Sequence, residues 1–326
     1  MKHFLGNRFY CQILKTKPLK SKRKIAFSLI ELSVVILIIG VLVLGVTQGS
    51  RMMKEAKLKS ARSLTTSSPV VSIENLAMWL DSTAERSLND AERVDGGTIS
   101  NWYNVNPQSS DNKINNVTQT TTAKKPLYVV NGIGGLPSIR FDGDDYLSIA
   151  SNSTVDLPTS NNPRTLFVVF GNAHLVPGGW NFLLHYGTEE IMNQTFDFGA
   201  CSTSALHTWA TEYKTTKSLC DKKPYIVSIT YKGLSNTTLS NGFSFYINGT
   251  SYANDNANAR TSGTEGSSAT LTLNTTSNDL YIGSRMNGAD PFKGDIGEII
   301  MYDKRLNETE RVSVENYLKQ KWGINY

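Results

Sequence analysis

Asp142, Asp144 and Asp145 fall around Gly143 in the run Phe-Asp-Gly-Asp-Asp-Tyr. Three carboxylates about a glycine turn suit a hard cation such as calcium, which takes oxygen ligands. The spacing is not that of an EF-hand loop, and Asp-Gly-Asp is also the ordinary composition of a solvated turn, the commoner case. Of the three cysteines, Cys11 lies near the N-terminus, while Cys201 and Cys220 form an even pair in the body of the chain. In an oxidising compartment that pair is expected to form a disulfide closing a loop of about 20 residues, worth about 3 kcal/mol on chain-entropy grounds. Two free thiols are the alternative. Trp102, Tyr103, Trp180 and Trp209 stand in loop-rich stretches and could stack on a sugar ring. Most tryptophans pack in cores instead, the place expected for Trp79 and Trp322.

Acid–base signals are thin. Glycoside hydrolysis needs two carboxyl groups held about 5–10 Å apart, and no strand carries acids at a spacing that would face them one way. Glu189 and Glu190 are adjacent; Asp295 and Glu298 are three apart. Glu298 is expected as a buried carboxylate bonded to loop backbone. His3, His174, His185 and His207 have no metal-ligand spacing, and the chain has no P-loop, dinucleotide fingerprint or Gly-x-Ser-x-Gly. The expectation from the sequence is a protein without enzymatic activity.

The elements that must carry these groups divide the chain by charge. It has 326 residues and a formal charge of +5, but 13 of its 33 Lys and Arg lie before Ser63 with only two of its 28 acids. The body from Ser63 onward is therefore mildly acidic, and a nucleic-acid partner is not expected. The bases flank an apolar run, Leu29–Val46, interrupted only by Glu31, Ser33, Gly40 and Gly45. With Ala26–Ser28 it reaches about 20 residues, enough to cross a hydrocarbon core as a helix. A cleaved secretory signal has the same layout, but a shorter apolar stretch and a small-x-small site. Eight bases without an acid precede the run, which favours a cytoplasmic N-terminus and a large C-terminal part outside. Glu31 is costly there, on the order of 2–3 kcal/mol near the bilayer centre and less near an end. It needs a partner, and a cut just before Phe27 would supply one as a new α-amino group.

Past Gln48 the helix is expected to continue through Arg62. Residues 63–69, polar and closed by Pro69, form a linker, and 70–326 form one body. That body reads as short strands between Asn/Asp/Gly/Ser loops: 77–80, 127–130, 138–141, 146–149, 165–170, 181–186, 225–231, 243–248, 270–273, 280–283 and 296–302. Alternation in Tyr225-x-Val227-x-Ile229-x-Tyr231 predicts one buried face. Asn307 followed by Glu310 predicts a capping box, and Val314, Tyr317, Leu318 and Trp322 the packed face of a closing helix that Gly323 stops. The expected fold class is mainly β: one N-terminal transmembrane helix, an antiparallel two-sheet sandwich and a short C-terminal helix.

Two resemblances extend this reading. Lys24-Ile-Ala-Phe-Ser-Leu-Ile-Glu-Leu32 resembles the processing motif of type IV prepilins and pseudopilins, with Ala26 where Gly is usual. The resemblance implies a basic leader at 1–26 removed by a prepilin peptidase between Ala26 and Phe27, methylation of Phe27, and Glu31 guiding assembly with other pilin-like subunits. In the body, Asn75–Asp81, Gly135–Gly143, Leu280–Ser284, Gly294–Ile300 and Tyr317–Gly323 together resemble concanavalin A-like, laminin G-like domains of bacterial surface proteins. That implies a jelly roll, binding carbohydrate or a surface protein and sometimes holding calcium. The implied protein is a pilin-like subunit of the inner membrane displaying a lectin-like sandwich outside, at the cell surface or in a pilus. A pseudopilin of a secretion system, or a membrane-tethered carbohydrate-active enzyme, is the alternative.

Overall fold

In the computed structural model the described residues are 28–109, 115–149, 157–191, 193–201, 205–208, 212–214, 217–234, 239–252, 272–277 and 279–326. The chain forms two compact units, residues 1–51 and 52–326. Its elements, in chain order, are α1 (Leu29–Thr66), β1 (Leu76–Asp81), β2 (Asn101–Trp102), β3 (Val117–Thr118), β4 (Leu127–Val129), β5 (Ser138–Asp142), β6 (Leu147–Ile149), β7 (Arg164–His174), β8 (Phe182–Tyr186), β9 (Asp197–Gly199), β10 (Ala205–His207), β11 (Glu212–Lys214), β12 (Tyr225–Tyr231), α2 (Leu239–Gly242), β13 (Phe243–Ile247), β14 (Thr250–Tyr252), β15 (Leu280–Ile282), β16 (Lys293–Tyr302) and α3 (Glu308–Trp322).

The first unit contributes the apolar part of α1, long and apolar enough to cross a membrane and exposed on every face. Ser28 opens it. Its Oγ accepts from the Ile30 N–H at 3.3 Å, and its own N–H donates to Glu31 Oε2 at 2.9 Å, the reciprocal pattern of a capping box. Ala26 and Phe27 lie outside the described residues.

The second unit holds two antiparallel sheets of eight strands. The first runs β14-β13-β12-β7-β16-β5-β4, with β1 also on β16; the second runs β11-β10-β9-β8-β15-β6-β3-β2. β16 organises the first sheet. One edge pairs with β7; the other is shared end to end, Lys293–Ile296 against β5 and Glu298–Tyr302 against β1. The pairing with β7 slips between Ile296 and Glu298. At Gly297 a Cβ would come within 2.5 Å of the Trp322 ring, so the close approach of α3 requires glycine there.

Inward-facing Val168, Phe170, Leu184, Phe198, Val227, Ile229, Phe245 and Ile282 fill the space between the sheets. A second apolar cluster lies on the far side of the first sheet. Val314, Leu318 and Trp322 of α3, Ala61 of α1 and Val70 cover Phe167, Val169, Ile226 and Ile300. For that reason β12 is buried along its whole length, not on the one face that alternation predicts. Asn307 and Glu310 form the capping box of α3, and Gly323 ends it in the left-handed conformation. The helix α1 reaches Thr66, past the expected end at Arg62, because its last turns pack: Ala61 is 2% exposed, and Arg62 Nε donates to the Thr83 carbonyl at 2.8 Å. Strands β2, β3, β9, β10, β11 and β14 have two or three residues each, too few to display alternation.

Candidate functional site

The outer face of the second sheet gathers polar and aromatic side chains from strands far apart in sequence. On β8, β9 and β15, Leu184, Phe198, Leu280 and Ile282 point into the core, so period two turns His185, Asp197 and Tyr281 the other way. Register then aligns them: Tyr281 opposes His185 and Ser148, and His207 opposes Asp197.

Asp197, fully buried, stands between two imidazoles. Its Oδ1 is 2.7 Å from His185 Nδ1 and its Oδ2 3.2 Å from His207 Nδ1. Burial opposes its ionisation, but the imidazoles outweigh burial and hold it down to about 2. Of the two approaches, the one between His207 Nδ1 and Asp197 Oδ2 has hydrogen-bond geometry. The network continues outward. Glu189 Oε1 lies 3.7 Å from His185 Nε2 and 3.2 Å from Arg285 Nε; Arg285 Nη2 lies 3.1 Å from Asp290 Oδ2, and Asp290 Oδ1 accepts the Trp180 N–H at 3.1 Å. Half-buried Trp180 has Phe182 near-parallel at 6.5 Å and His207 at 5.7 Å between ring centroids. Tyr281 packs at 5.9 Å from His185 and 5.8 Å from Tyr146. Burial and Asp279 push its phenol up to about 12, so it stays a hydrogen-bond donor at neutral pH. Toward solvent the face presents the partly exposed Trp180, His207, Glu189 and Arg285, with Asp197, His185, Phe182 and Tyr281 buried behind them.

Of the residues singled out from sequence, Trp180 belongs to this face. Trp102 does not: it is fully buried between the sheets, which corrects its reading as a ligand contact. Tyr103 is half-buried, donates to Asn89 Oδ1 at 3.0 Å, and borders a cleft of 390 Å³ shared with Arg86. That cleft adjoins another of 500 Å³ at the foot of α1, where Arg62 and Glu85 pair at 2.9 Å. Trp209 lies outside the described residues. Cys201 and Cys220 are joined as a disulfide. Asp142, Asp144 and Asp145 bring carboxylate oxygens within 4.8 Å of one another, a donor set that suits calcium, but Lys124 Nζ sits 2.7 Å from Asp144 Oδ2. A cation there would displace that ammonium. Glu298 is buried as expected, but its partners are side chains: Trp79, Tyr317, Lys321 and Trp322.

His185, Asp197, His207, Glu189, Arg285 and Tyr281 were not legible as a group. Each is the outward residue of a short strand or sits in a loop, and only strand pairing brings them together.

No protein-family model and no curated protein sequence matches this chain. Solved structures with a similar fold include a Trypanosoma rangeli sialidase in complex with sialic acid: 17% identity, TM-score 0.43, 76% of this chain and 33% of that one. Domain 4 of an extracellular arabinanase from Geobacillus stearothermophilus, in complex with arabinotriose, matches at 14% identity and TM-score 0.44 over 74% of this chain and 98% of that one. The binding domain of Paraclostridial Mosquitocidal Protein 1 matches at 12% and 0.45 over 75% and 52%. The chain thus spans a third of the sialidase's length. Such likenesses bear on the fold and assign no activity. They do correct one expectation, the absence of enzymatic activity. Sialidases, one as a covalent intermediate, are among the matches, so the expectation of an inactive protein does not stand.

Proposed function

We propose that this chain is a membrane-anchored, pilin-like subunit whose β-sandwich binds carbohydrate on the outer face of its second sheet. The carrying observation is Trp180, flanked by Phe182 and His207, beside the polar row built on Asp197. A sugar offers an apolar ring face to an aromatic platform and hydroxyls to fixed donors and acceptors, and both are present within one patch. Helix α1 anchors the chain, with the sandwich outside the cytoplasm, where a Cys201–Cys220 disulfide persists. A prepilin peptidase cuts between Ala26 and Phe27, Phe27 is methylated, and Glu31 then directs packing among other pilin-like subunits.

Glycan-array binding by the detergent-purified protein tests the ligand. Trp180→Ala is expected to weaken binding at least tenfold while leaving the melting temperature within about 2 °C, as for a surface substitution. Unchanged binding would place the ligand elsewhere. The same glycans are assayed for release of reducing sugar, which decides whether the face also catalyses. N-terminal sequencing of the membrane form reads cleavage and methylation together; an intact Met1 would remove the pilin reading and leave a tethered sandwich.

A further inference from the structure

Beneath α3, on the side of the first sheet away from the ligand face, lies a charge cluster that the proposed function does not use. Lys321 Nζ is 2.7 Å from Asp81 Oδ2 and 2.7 Å from Glu298 Oε2, and all three side chains have zero exposure. Asp81 Oδ1 accepts the Thr83 N–H at 2.9 Å and the Thr83 hydroxyl at 2.8 Å; its Oδ2 also accepts Thr65 Oγ1 at 3.1 Å. Glu298 is held by Trp79 Nε1 at 2.7 Å and the Tyr317 hydroxyl at 2.8 Å on Oε1, and by Trp322 Nε1 at 2.8 Å on Oε2. The walls are the rings of Trp79, Tyr317 and Trp322.

Two carboxylates and one ammonium leave an excess negative charge in a dry site, which is costly. Burial, with Asp81 alongside, raises the Glu298 carboxyl above its usual range against the pull of Lys321. One bound proton neutralises the cluster. A proton passed from Lys321 to Asp81 across their 2.7 Å contact would leave an uncharged amine against a carboxylic acid.

We propose that Lys321 and Asp81 become joined by an isopeptide bond, with Glu298 as the proton carrier. The Lys321 Nζ lone pair attacks Asp81 Cγ, forming the C–N bond. The oxyanion develops on Oδ1, where the Thr83 N–H and hydroxyl already converge. Glu298, which carries the cluster's bound proton, delivers it to the Oδ2 hydroxyl and takes one from nitrogen in return; the C–Oδ2 bond breaks and water leaves. Amine and acid give amide and water, with no oxidant, reductant or activating group needed, and Glu298 returns to its starting state. Asp81 is the acceptor because its Oδ1 has the paired donors while Oδ2 faces the amine. The reactants are pre-aligned and shielded from water, the conditions under which intramolecular reactions gain most. The product ties β1 covalently to α3.

The test is mass spectrometry of the full chain purified from membranes. Digestion after Lys and Arg is expected to yield one branched species, residues 63–86 joined to 320–326, lighter by one water than the two peptides together and uncut at Lys321. The intact mass falls by the same water, beyond the two hydrogens of the disulfide. Separate 63–86 and cleaved C-terminal peptides in the wild-type digest would overturn the proposal, and that reading depends on no variant. In E298Q, whose amide preserves shape and one of the two accepting oxygens, the branched peptide is expected to fall at least tenfold while α3 stays folded by circular dichroism. An undiminished branch in folded E298Q would overturn the part given to Glu298.

Discussion

Asp145 is pushed up to about 7 by burial and by the neighbouring Asp142 and Asp144 carboxylates, despite the Asp142 N–H it accepts. A folded-state value above the unfolded 3.8 means the native turn binds this proton more tightly. Its contribution is therefore complete below pH 4 and lost as pH rises through 7. Asp145→Asn keeps an acceptor for that N–H and removes the titration. Melting curves from pH 4 to 8 are expected to fall less steeply in the variant, by about 2–4 kcal/mol; parallel curves would count against it. Glu31 has one observed contact and one proposed role in assembly. Its carboxylate caps the Ser28 N–H, a partner the sequence reading did not foresee. Glu31→Gln keeps the acceptor and loses the charge, so helix content should be unchanged while sheared filaments lose the subunit. Wild-type incorporation would assign Glu31 to capping alone. Residues adjacent in the chain, like the aspartate trio, could be read directly; His185, Asp197 and His207 could not, because their meeting depends on register.

At the scale of elements, the foot of α1 belongs to the sandwich. Ala61 is buried among the α3-side apolar residues, Arg62 holds the Thr83 carbonyl and Thr65 holds Asp81. A soluble fragment beginning at residue 52 should therefore outlast one beginning at residue 70, by about 2–4 kcal/mol from the lost burial and hydrogen bonds. Urea midpoints compare them, and coincident midpoints would sink the argument. Gly297→Ala drives a methyl into Trp322 and should cost about 1–3 kcal/mol by overpacking, read in the same titration. Long elements were legible because each repeats its period: β7, β12, β16 and α3 were all anticipated. The extension of α1 was not. Ser63–Ser68 looks like a linker by composition, and only packing against α3 and Asp81 makes Thr65 and Thr66 helical.

For the whole molecule, the sequence specified a mostly β body, an apolar N-terminal helix and a closing helix, and these stand. The order of strands did not follow from it, nor did the covering of one sheet by helices while the other keeps a polar outer face. That asymmetry fits the proposed division between a braced sheet and a ligand-binding one. It also bears on mechanics. Under the proposed function, a chain anchored through α1 and bound to ligand at its sandwich would be loaded in tension, and that tension meets Lys57 on the Gly134 carbonyl, then Arg62 and Thr65, before it reaches β1. Only when those side-chain latches slip is β1 dragged along β16, and its antiparallel rungs from Leu76–Tyr302 to Asp81–Glu298 then bear the load as one.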